Sequence, residues 1–167
     1  MEIDSQDLIQ ILSDNIKLYE HLGITVETLN SHRAVLKVDL QKNLNHKGTA
    51  FGGSLYATGV MSAYALVLAG LKYYKIETEN IVIAKGVIEY LRPIDSDFRI
   101  LCEFPSLEEE KSFYQELQDK KRVRRDLKVQ IFKDGGSDGL SLGAGAESAP
   151  VSGTLGASLV GSFVVRM

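Results

Sequence analysis

The longest uncharged segment of the chain constrains its fold more than any other feature. Residues 54–71 contain no charged side chain, and a Phe-Gly-Gly sequence, Phe51 to Gly53, comes directly before them. A segment of this length is at the lower limit for a membrane-spanning helix. However, it includes serine, threonine, tyrosine and glycine, and it is followed by strand-like sequence rather than by a basic loop. We therefore expect a helix buried in the middle of the protein and no membrane span.

The size and charge of the chain limit the classes of function. With 167 residues, it has the size of one domain that buries its own core. Its net charge of -3 differs from the strongly basic character of nucleic-acid-binding domains, so no nucleic-acid partner is expected. The single cysteine, Cys102, excludes an internal disulfide and indicates a reducing compartment. The acidic N-terminus lacks the pattern of a secretory signal, which makes the cytoplasm the expected location.

Hydrophobic periodicity predicts strands and helices around the uncharged segment. The predicted elements are a helix (5–21), two strands (24–30 and 33–40), the buried helix, a long strand (80–94), a strand (98–104), a capped helix (106–118), a strand (123–135) and a last strand (161–167). Each strand needs only one apolar face, whereas the central helix needs apolar residues almost all round. An antiparallel sheet wrapped around that helix, an α+β architecture, explains this order.

A glycine-rich segment separates the last two predicted strands. Residues 135–160 contain only two charged side chains, Asp138 and Glu147. This composition is typical of a flexible linker or a loose hairpin tip. We interpret it as an insertion within one domain that covers residues 1–167, tolerated because the entropy of loop closure grows slowly with loop length.

The double glycine at the start of the predicted helix has two interpretations. The first turn of a helix carries N–H groups without intrahelical partners, at the positive end of the helix dipole. Because glycine has no Cβ, an oxygen could approach the N–H groups of Gly52 and Gly53 closely and be stabilised as it gains negative charge. Alternatively, the two glycines only let the chain turn sharply and bring the helix against the sheet. The spacing alone favours packing, because two adjacent glycines are weak evidence of an oxyanion hole.

The sequence around the double glycine resembles a family of enzymes. The pattern Asn45-x-x-Gly48-x-x-Phe51-Gly52-Gly53, taken with Ile-Glu-Tyr-Leu-Arg-Pro-Ile at residues 88–94, is similar to the hotdog-fold acyl-thioester hydrolases, in particular the YiiD C-terminal type. The resemblance extends from about residue 8 to the last strand, without the glycine-rich insertion. It implies the hotdog fold, in which an antiparallel sheet wraps around a long central helix.

The resemblance also implies a reaction, partners and roles for particular residues. It implies a homodimer or tetramer whose sheets join edge to edge, with acyl-CoA or acyl-carrier-protein thioesters bound between subunits. It further implies that the Gly53 N–H receives the thioester carbonyl and that Asn45 lies beside the reacting centre. The expected reaction is hydrolysis by water. Coenzyme A enters as part of the substrate, and no cofactor is expected in the chemistry.

The general base of related enzymes is missing at its usual positions. Acyl-CoA hydrolases with a similar pattern carry a carboxylate two residues before the asparagine, where this chain has Asn43. Relatives with His-Gly-Gly carry a carboxylate in the helix, at the position of Val60, and their histidine is replaced here by Phe51. Because an asparagine can orient a water molecule but cannot take its proton, we expect Asn45 to position the water. Asn43 and His46 are further catalytic candidates, although His46 could simply be a solvated loop side chain.

Several other residues are candidates for contacts to the substrate. Phe51 and Gly52 adjoin the expected carbonyl site, and Ser54 and Tyr56 could hydrogen-bond to the substrate or to a water, although Ser54 could instead cap the helix. Arg92 could bind a phosphate of coenzyme A. A basic cluster could do the same or protect a strand edge: Lys120, Lys121, Arg122, Arg124 and Arg125. The three histidines and one cysteine are scattered, so no metal site is expected.

Two other functions remain open from the sequence. The missing carboxylates favour a non-catalytic module that binds acyl thioesters. A hotdog dehydratase is the other alternative, but its histidine and acidic pair are not recognisable in this chain.

Overall fold

Six antiparallel strands form one sheet that wraps around a long helix. A computed structural model of the protein describes residues 5–135 and 150–167. The helices are α1 (Ser5–Asn15), α2 (Gly52–Tyr73) and α3 (Leu107–Lys120), with 3-10 helices at Lys17–His21 and Leu40–Asn43. The strands are β1 (Ile24–Leu29), β2 (Arg33–Val38), β3 (Ile81–Tyr90), β4 (Phe98–Glu103), β5 (Arg122–Lys133) and β6 (Thr154–Arg166). Their order in the sheet is β1-β2-β4-β5-β6-β3, which confirms the predicted fold class.

Helix α2 forms the centre of the hydrophobic core. Thirteen of its 22 residues are buried, and they pack against the apolar faces of the strands and of α1 and α3. Among the described residues, it is the one helix that could span a membrane by length and composition, but 72% of its most apolar stretch is buried inside the protein. An apolar surface on nearly every side is typical of a helix enclosed by other elements. α2 is therefore packed as the core helix that the uncharged segment predicts.

The predicted helix over residues 5–21 is divided into two parts. Ile16 has an extended backbone, with φ -121° and ψ 94°, between α1 and the following 3-10 helix. Leu8 and Leu12 of α1 and Tyr19 of the 3-10 helix are all buried. Two short helices that bury the same face produce the same apolar spacing as one long helix, so the pattern could not reveal the break.

The last strand begins earlier than the composition indicates. The predicted insertion reached residue 160, but β6 starts at Thr154. Ala157 and Leu159 are fully buried on the face that packs against α2, and Gly156 contacts Ile94. Small residues that alternate between the two faces of this strand resemble a linker in composition. The part of the insertion at residues 136–149 lies outside the described residues.

A small apolar cluster on the outer face of the sheet is covered by the segment that leads into β6. Val151 is buried there together with Val35, Leu101 and Phe132. Gly153 directs the chain back to the sheet with a φ of +136°, and a Cβ at this position would overlap the backbone oxygen of Lys133. Only glycine therefore fits at residue 153.

Replacing Gly153 with alanine is expected to lower the free energy of unfolding by about 2 kcal/mol, because the left-handed backbone and the overlap with Lys133 both oppose a Cβ. Urea denaturation monitored by circular dichroism measures the change. Gly135→Ala is the matched control, since Gly135 also has a positive φ (+82°) but no atom within 4 Å of the added Cβ. An equal loss in both variants would show that the overlap at residue 153 contributes nothing.

Candidate active site

The loop that leads into α2 is held in shape by the Asn45 side chain. Asn45 Oδ1 accepts hydrogen bonds from the N–H groups of Lys47 (2.9 Å) and Thr49 (3.1 Å), and its Nδ2 donates to Thr49 Oγ1 (2.9 Å). The Asn45 N–H also donates to the carbonyl oxygen of Thr49 (2.8 Å), and Gly48 turns the chain with a φ of +76°. The Asn45 amide therefore organises its own loop. Thr49, which the sequence reasoning did not identify, is its main partner.

The first turn of α2 has N–H groups that make no hydrogen bond. The Phe51 N–H donates to the Asn43 carbonyl oxygen at 2.7 Å. The next three N–H groups, those of Gly52, Gly53 and Ser54, make no hydrogen bond within the described part of the chain. Gly53 is exposed and Gly52 is half-buried, so this end of the helix is open to solvent. Such a group of donors can bind an oxygen that carries negative charge.

Two aromatic rings occupy the space next to the glycines. A Cβ at Gly53 would lie 2.5 Å from the Phe51 ring, and a Cβ at Gly52 would lie 3.2 Å from the Tyr90 ring. The Tyr90 hydroxyl also donates a hydrogen bond to the Gly52 carbonyl oxygen (2.9 Å). The glycines thus serve packing while their N–H groups stay accessible. The two interpretations of the double glycine are compatible.

Asn43 and His46 occupy very different environments. The Asn43 side chain is buried, and its Nδ2 donates to the carbonyl oxygens of Leu22 and Asp39, both at 2.8 Å. Its Oδ1 is also buried and has no hydrogen-bond partner among residues 5–135 and 150–167. His46, by contrast, is exposed in the loop. Asn43 therefore joins the loop to the body of the protein, whereas His46 is accessible to water.

The remaining predicted contact residues lie on the helix and at the end of β3. Tyr56 is half-buried, and its hydroxyl fills the space where a Cβ of Gly86 would be, which explains the glycine in the middle of β3. Ser54 is half-buried in the first turn of α2, but Phe51 holds the N-cap position. Arg92 is exposed just beyond β3, where its backbone N–H donates to the Gly156 carbonyl oxygen.

Large apolar side chains remain exposed on the segments that meet at the double glycine. Phe51 and Tyr90 are 57% and 55% exposed, and Leu44 and Leu91 are exposed as well. Leu44 belongs to the loop, because it pairs with Ala50 directly before α2. An apolar, exposed surface around free hydrogen-bond donors is typical of a binding site.

The basic cluster lies far from this surface in the same chain. Arg122 pairs with Arg166 at the end of the sheet where β3 begins, whereas Tyr90 is the last residue of β3. The two ends of this ten-residue strand are separated by about 30 Å at the usual rise per residue. Arg125 forms ion pairs with Glu109 (3.7 Å) and Glu116 (2.9 Å), which attach α3 to β5.

Neither a metal site nor a reactive thiol is found in the described part of the chain. Residues 5–135 and 150–167 contain no group of three or more His, Cys, Asp or Glu side chains placed to hold a metal ion. Burial raises the pKa of the Cys102 thiol, which therefore stays protonated in the core.

Comparison with known proteins identifies the family. Residues 5–142 match the family described as "Putative thioesterase (yiiD_Cterm)". No curated protein matches the chain.

Similar solved structures support the same fold. A protein of unknown function, OLEI01261 from Chlorobaculum tepidum TLS, is 26% identical over 97% of this chain and 93% of its own, with a TM-score of 0.80. A putative thioesterase from Shewanella oneidensis is 22% identical over 99% of this chain and 100% of its own, with a TM-score of 0.77. The E. coli PaaI protein is 14% identical over 98% of this chain and 93% of its own, with a TM-score of 0.62. The chain therefore has the hotdog fold and belongs to the putative thioesterase family of the YiiD C-terminal type.

Proposed function

We propose that this protein hydrolyses acyl thioesters of coenzyme A or of an acyl carrier protein. The observation that carries the proposal is the set of unpartnered N–H groups of Gly52, Gly53 and Ser54 at the open end of a buried helix. These donors, at the positive end of the helix dipole, would stabilise the carbonyl oxygen as water attacks the carbonyl carbon. The Gly53 N–H is the donor proposed to receive the carbonyl. Membership of a thioesterase family supports a thioester as the reacting group.

The surroundings of the glycines suit such a substrate. The exposed rings of Phe51 and Tyr90, together with Leu91, offer an apolar surface to an acyl group. The exposed guanidinium of Arg92 suits a phosphate of coenzyme A or an acidic carrier protein.

The loop before α2 supplies the proposed proton acceptor. Histidine is the side chain that most readily accepts a proton near neutral pH, and His46 is exposed in this loop. In the proposed reaction, water adds to the carbonyl carbon and gives its proton to His46. The carbon–sulfur bond then breaks, and the thiolate takes up a proton to leave as a thiol. The Asn45 side chain holds the loop that carries His46.

We further propose that the protein acts as a homodimer joined through β3. Within residues 5–135 and 150–167, this ten-residue strand pairs with β6 on one side only, and Val82 and Val87 are about half exposed on it. A long edge strand with exposed apolar side chains tends to pair with another strand. Sedimentation analysis is expected to give a mass of about twice the 18.4 kDa of one chain. A monomer at all concentrations would refute the dimer.

The decisive experiment follows the release of free thiol. The protein is incubated with acyl-CoAs of increasing chain length, and the thiol is titrated with a colorimetric reagent. Saturable, enzyme-dependent release supports the hydrolase. Saturable binding without thiol release would instead indicate a non-catalytic acyl-thioester binder, an alternative favoured by the buried amide of Asn43 at the usual carboxylate position.

Replacing Asn45 with alanine is expected to lower turnover about tenfold or more and to lower the free energy of unfolding by only about 1–2 kcal/mol. The variant loses the three side-chain hydrogen bonds that shape the loop around His46. Initial rates of thiol release and urea denaturation measure the two effects.

Asn45→Asp is the matched control, because its carboxylate can still accept from the N–H groups of Lys47 and Thr49. Retained turnover in this control would support a role in shaping the loop. Equal losses in both variants would show that the Nδ2 donor itself is required, and unchanged turnover in both would remove Asn45 from the mechanism.

A further inference from the structure

A cleft lies at the opposite end of α2 from the double glycine. It has a volume of about 440 Å³ and lies between the turn joining β1 to β2, the end of α2 and the start of α3. The 22 residues of α2 separate its two ends by about 33 Å at the usual rise of a helix. The cleft is therefore separate from the candidate active site.

The cleft contains a buried carboxylate, that of Glu110, whose oxygens already accept hydrogen bonds from other residues of the protein. Glu110 is only 3% exposed, its Oε1 accepts a hydrogen bond from the Tyr74 hydroxyl (3.1 Å), and its Oε2 lies 3.0 Å from His32 Nδ1. Burial and the charge of Glu110 raise the pKa of Tyr74 to about 12, so this hydroxyl stays protonated as a donor at neutral pH. Because Glu110 is buried and each of its oxygens already accepts a hydrogen bond inside the protein, it offers little accessible surface to a cationic ligand.

The same carboxylate orients the ring of His32. An ionised carboxylate only accepts hydrogen bonds, so His32 must donate from Nδ1. Its second nitrogen, Nε2, has no hydrogen-bond partner in the part of the chain that the structure describes. The side chain is 28% exposed and lines the cleft. Glu110 thus orients the His32 ring and leaves Nε2 available to a ligand, as an acceptor in the neutral ring and as a donor when the ring carries a second proton.

The other charged groups that line the cleft are positive. Arg33 is buried there, 3.6 Å from the carboxylate of Glu103. Lys111 is exposed at the edge, and no acidic group of the described residues lies within ion-pair distance of it. Glu110 is the one acidic residue among those that line the cleft. The available charge therefore favours a negatively charged ligand over a positive one.

An apolar rim borders these polar groups. Tyr73 and Leu107 are 56% and 58% exposed, although both are large apolar side chains next to a concave surface. Binding sites for small molecules typically combine an apolar wall with a few polar groups that fix the orientation of the ligand. This rim would cover the hydrocarbon part of a small molecule.

We propose that this cleft binds a small organic carboxylate with an apolar body. Its carboxylate is bound by Lys111 and, when the His32 ring carries a second proton whose charge Glu110 balances, by the Nε2–H of His32. Its apolar body packs on Tyr73 and Leu107. Charge-assisted hydrogen bonds of this kind are shorter and stronger than neutral ones. The proposal does not depend on thioester hydrolysis, although the acid that such hydrolysis releases belongs to the same chemical class.

The test compares three probes that share one hydrocarbon body: hexanoate, 1-hexanol and hexylamine. Each is titrated into the full-length protein, and binding is followed by backbone amide NMR. Hexanoate is expected to bind saturably with shifts at His32, Leu107 and Lys111, and the two other probes at least tenfold more weakly. Shifts confined to Phe51 and Gly53, tighter binding of hexylamine, or no saturable binding at millimolar hexanoate would each overturn the proposal.

Lys111→Gln tests the recognition of charge without touching the core. It is expected to weaken hexanoate binding about tenfold, because the exposed lysine makes no ion pair within the described chain. Lys120→Gln, on the same helix but paired with Glu116 at 3.2 Å, is the matched control and should leave the affinity unchanged. Equal affinities of the two variants would overturn the assignment. Because binding is measured without turnover, a failure here is distinct from a failure to hydrolyse thioesters.

Discussion

Replacing Gly53 with proline is expected to lower the turnover of acyl thioesters by about 10²–10³. Proline removes the backbone N–H that we propose as the donor to the thioester carbonyl oxygen, and the loss of one such donor has an effect of this size in enzymes that rely on it. The change acts on a group that the fold does not use, since this N–H makes no hydrogen bond within the described residues. Proline is also tolerated in the first turn of a helix. Thiol-release kinetics measure the rate, and thermal unfolding shows that the variant is folded.

Gly53→Ala is the matched control for this prediction. Both variants place a Cβ about 2.5 Å from the exposed ring of Phe51. The ring must therefore rotate away in both. Only proline removes the N–H. We expect alanine to reduce turnover by about tenfold or less, since it keeps the donor. If alanine and proline reduce turnover equally, the effect is steric, and the proposed role of the Gly53 N–H is wrong.

Replacing Gly70 with alanine is expected to lower the free energy of unfolding by about 3 kcal/mol. An added Cβ would overlap the hydroxyl and ring of Tyr114, which is fully buried and donates to the Val67 carbonyl oxygen. Tyr114 cannot move aside, because it stacks on Tyr74 and contacts two phenylalanine rings, Phe104 and Phe113. The energetic cost of this overlap exceeds the gain of about 1 kcal/mol that alanine gives over glycine inside a helix.

The expected loss corresponds to a fall in melting temperature of about 6–12 °C for a chain of this size. Gly59→Ala in the same helix is the control, because the closest atom to its Cβ would be the end of the Leu159 side chain at 3.0 Å, and the next ones, of Val129 and Ile131, lie at ordinary contact distance. The Leu159 side chain can shift by a few tenths of an ångström, and the better helix propensity of alanine offsets the strain. We expect Gly59→Ala to be near neutral. A similar loss in both variants would contradict the close packing of α3 on α2 at Gly70.

The elements of the fold could be predicted wherever a local pattern determines the structure. The uncharged segment predicted a buried helix, and alternating apolar residues predicted the strands on either side of it. The beginning of β6 was missed, since its buried positions include Gly156 and Ala157, which resemble a linker in composition. Gly156 is well packed because the Ile94 side chain lies directly against it. This contact between distant segments can be seen only in the folded structure.

The candidate site was predictable in its position but not in the roles of its side chains. Helix geometry leaves the N–H groups of Gly52 and Gly53 without partners inside the helix, whatever the rest of the chain does. The tertiary structure added that Asn43 is buried against Leu22 and that Asn45 bonds to its own loop. These partners depend on how the loop packs, which the spacing of the motif does not specify.

By itself, the sequence determined that a helix apolar on nearly every side must be covered by strands with one apolar face each, and that this helix opens with glycines. This information is local, because periodicity and helix ends depend on neighbours within a few residues. Which distant groups meet, such as His32, Tyr74 and Glu110 in the cleft at the end of α2, depends on how the elements pack together. His32 lies in the turn between β1 and β2, Tyr74 directly follows α2, and Glu110 belongs to α3. Their contact depends on strand register and helix packing, which act between segments far apart in the chain.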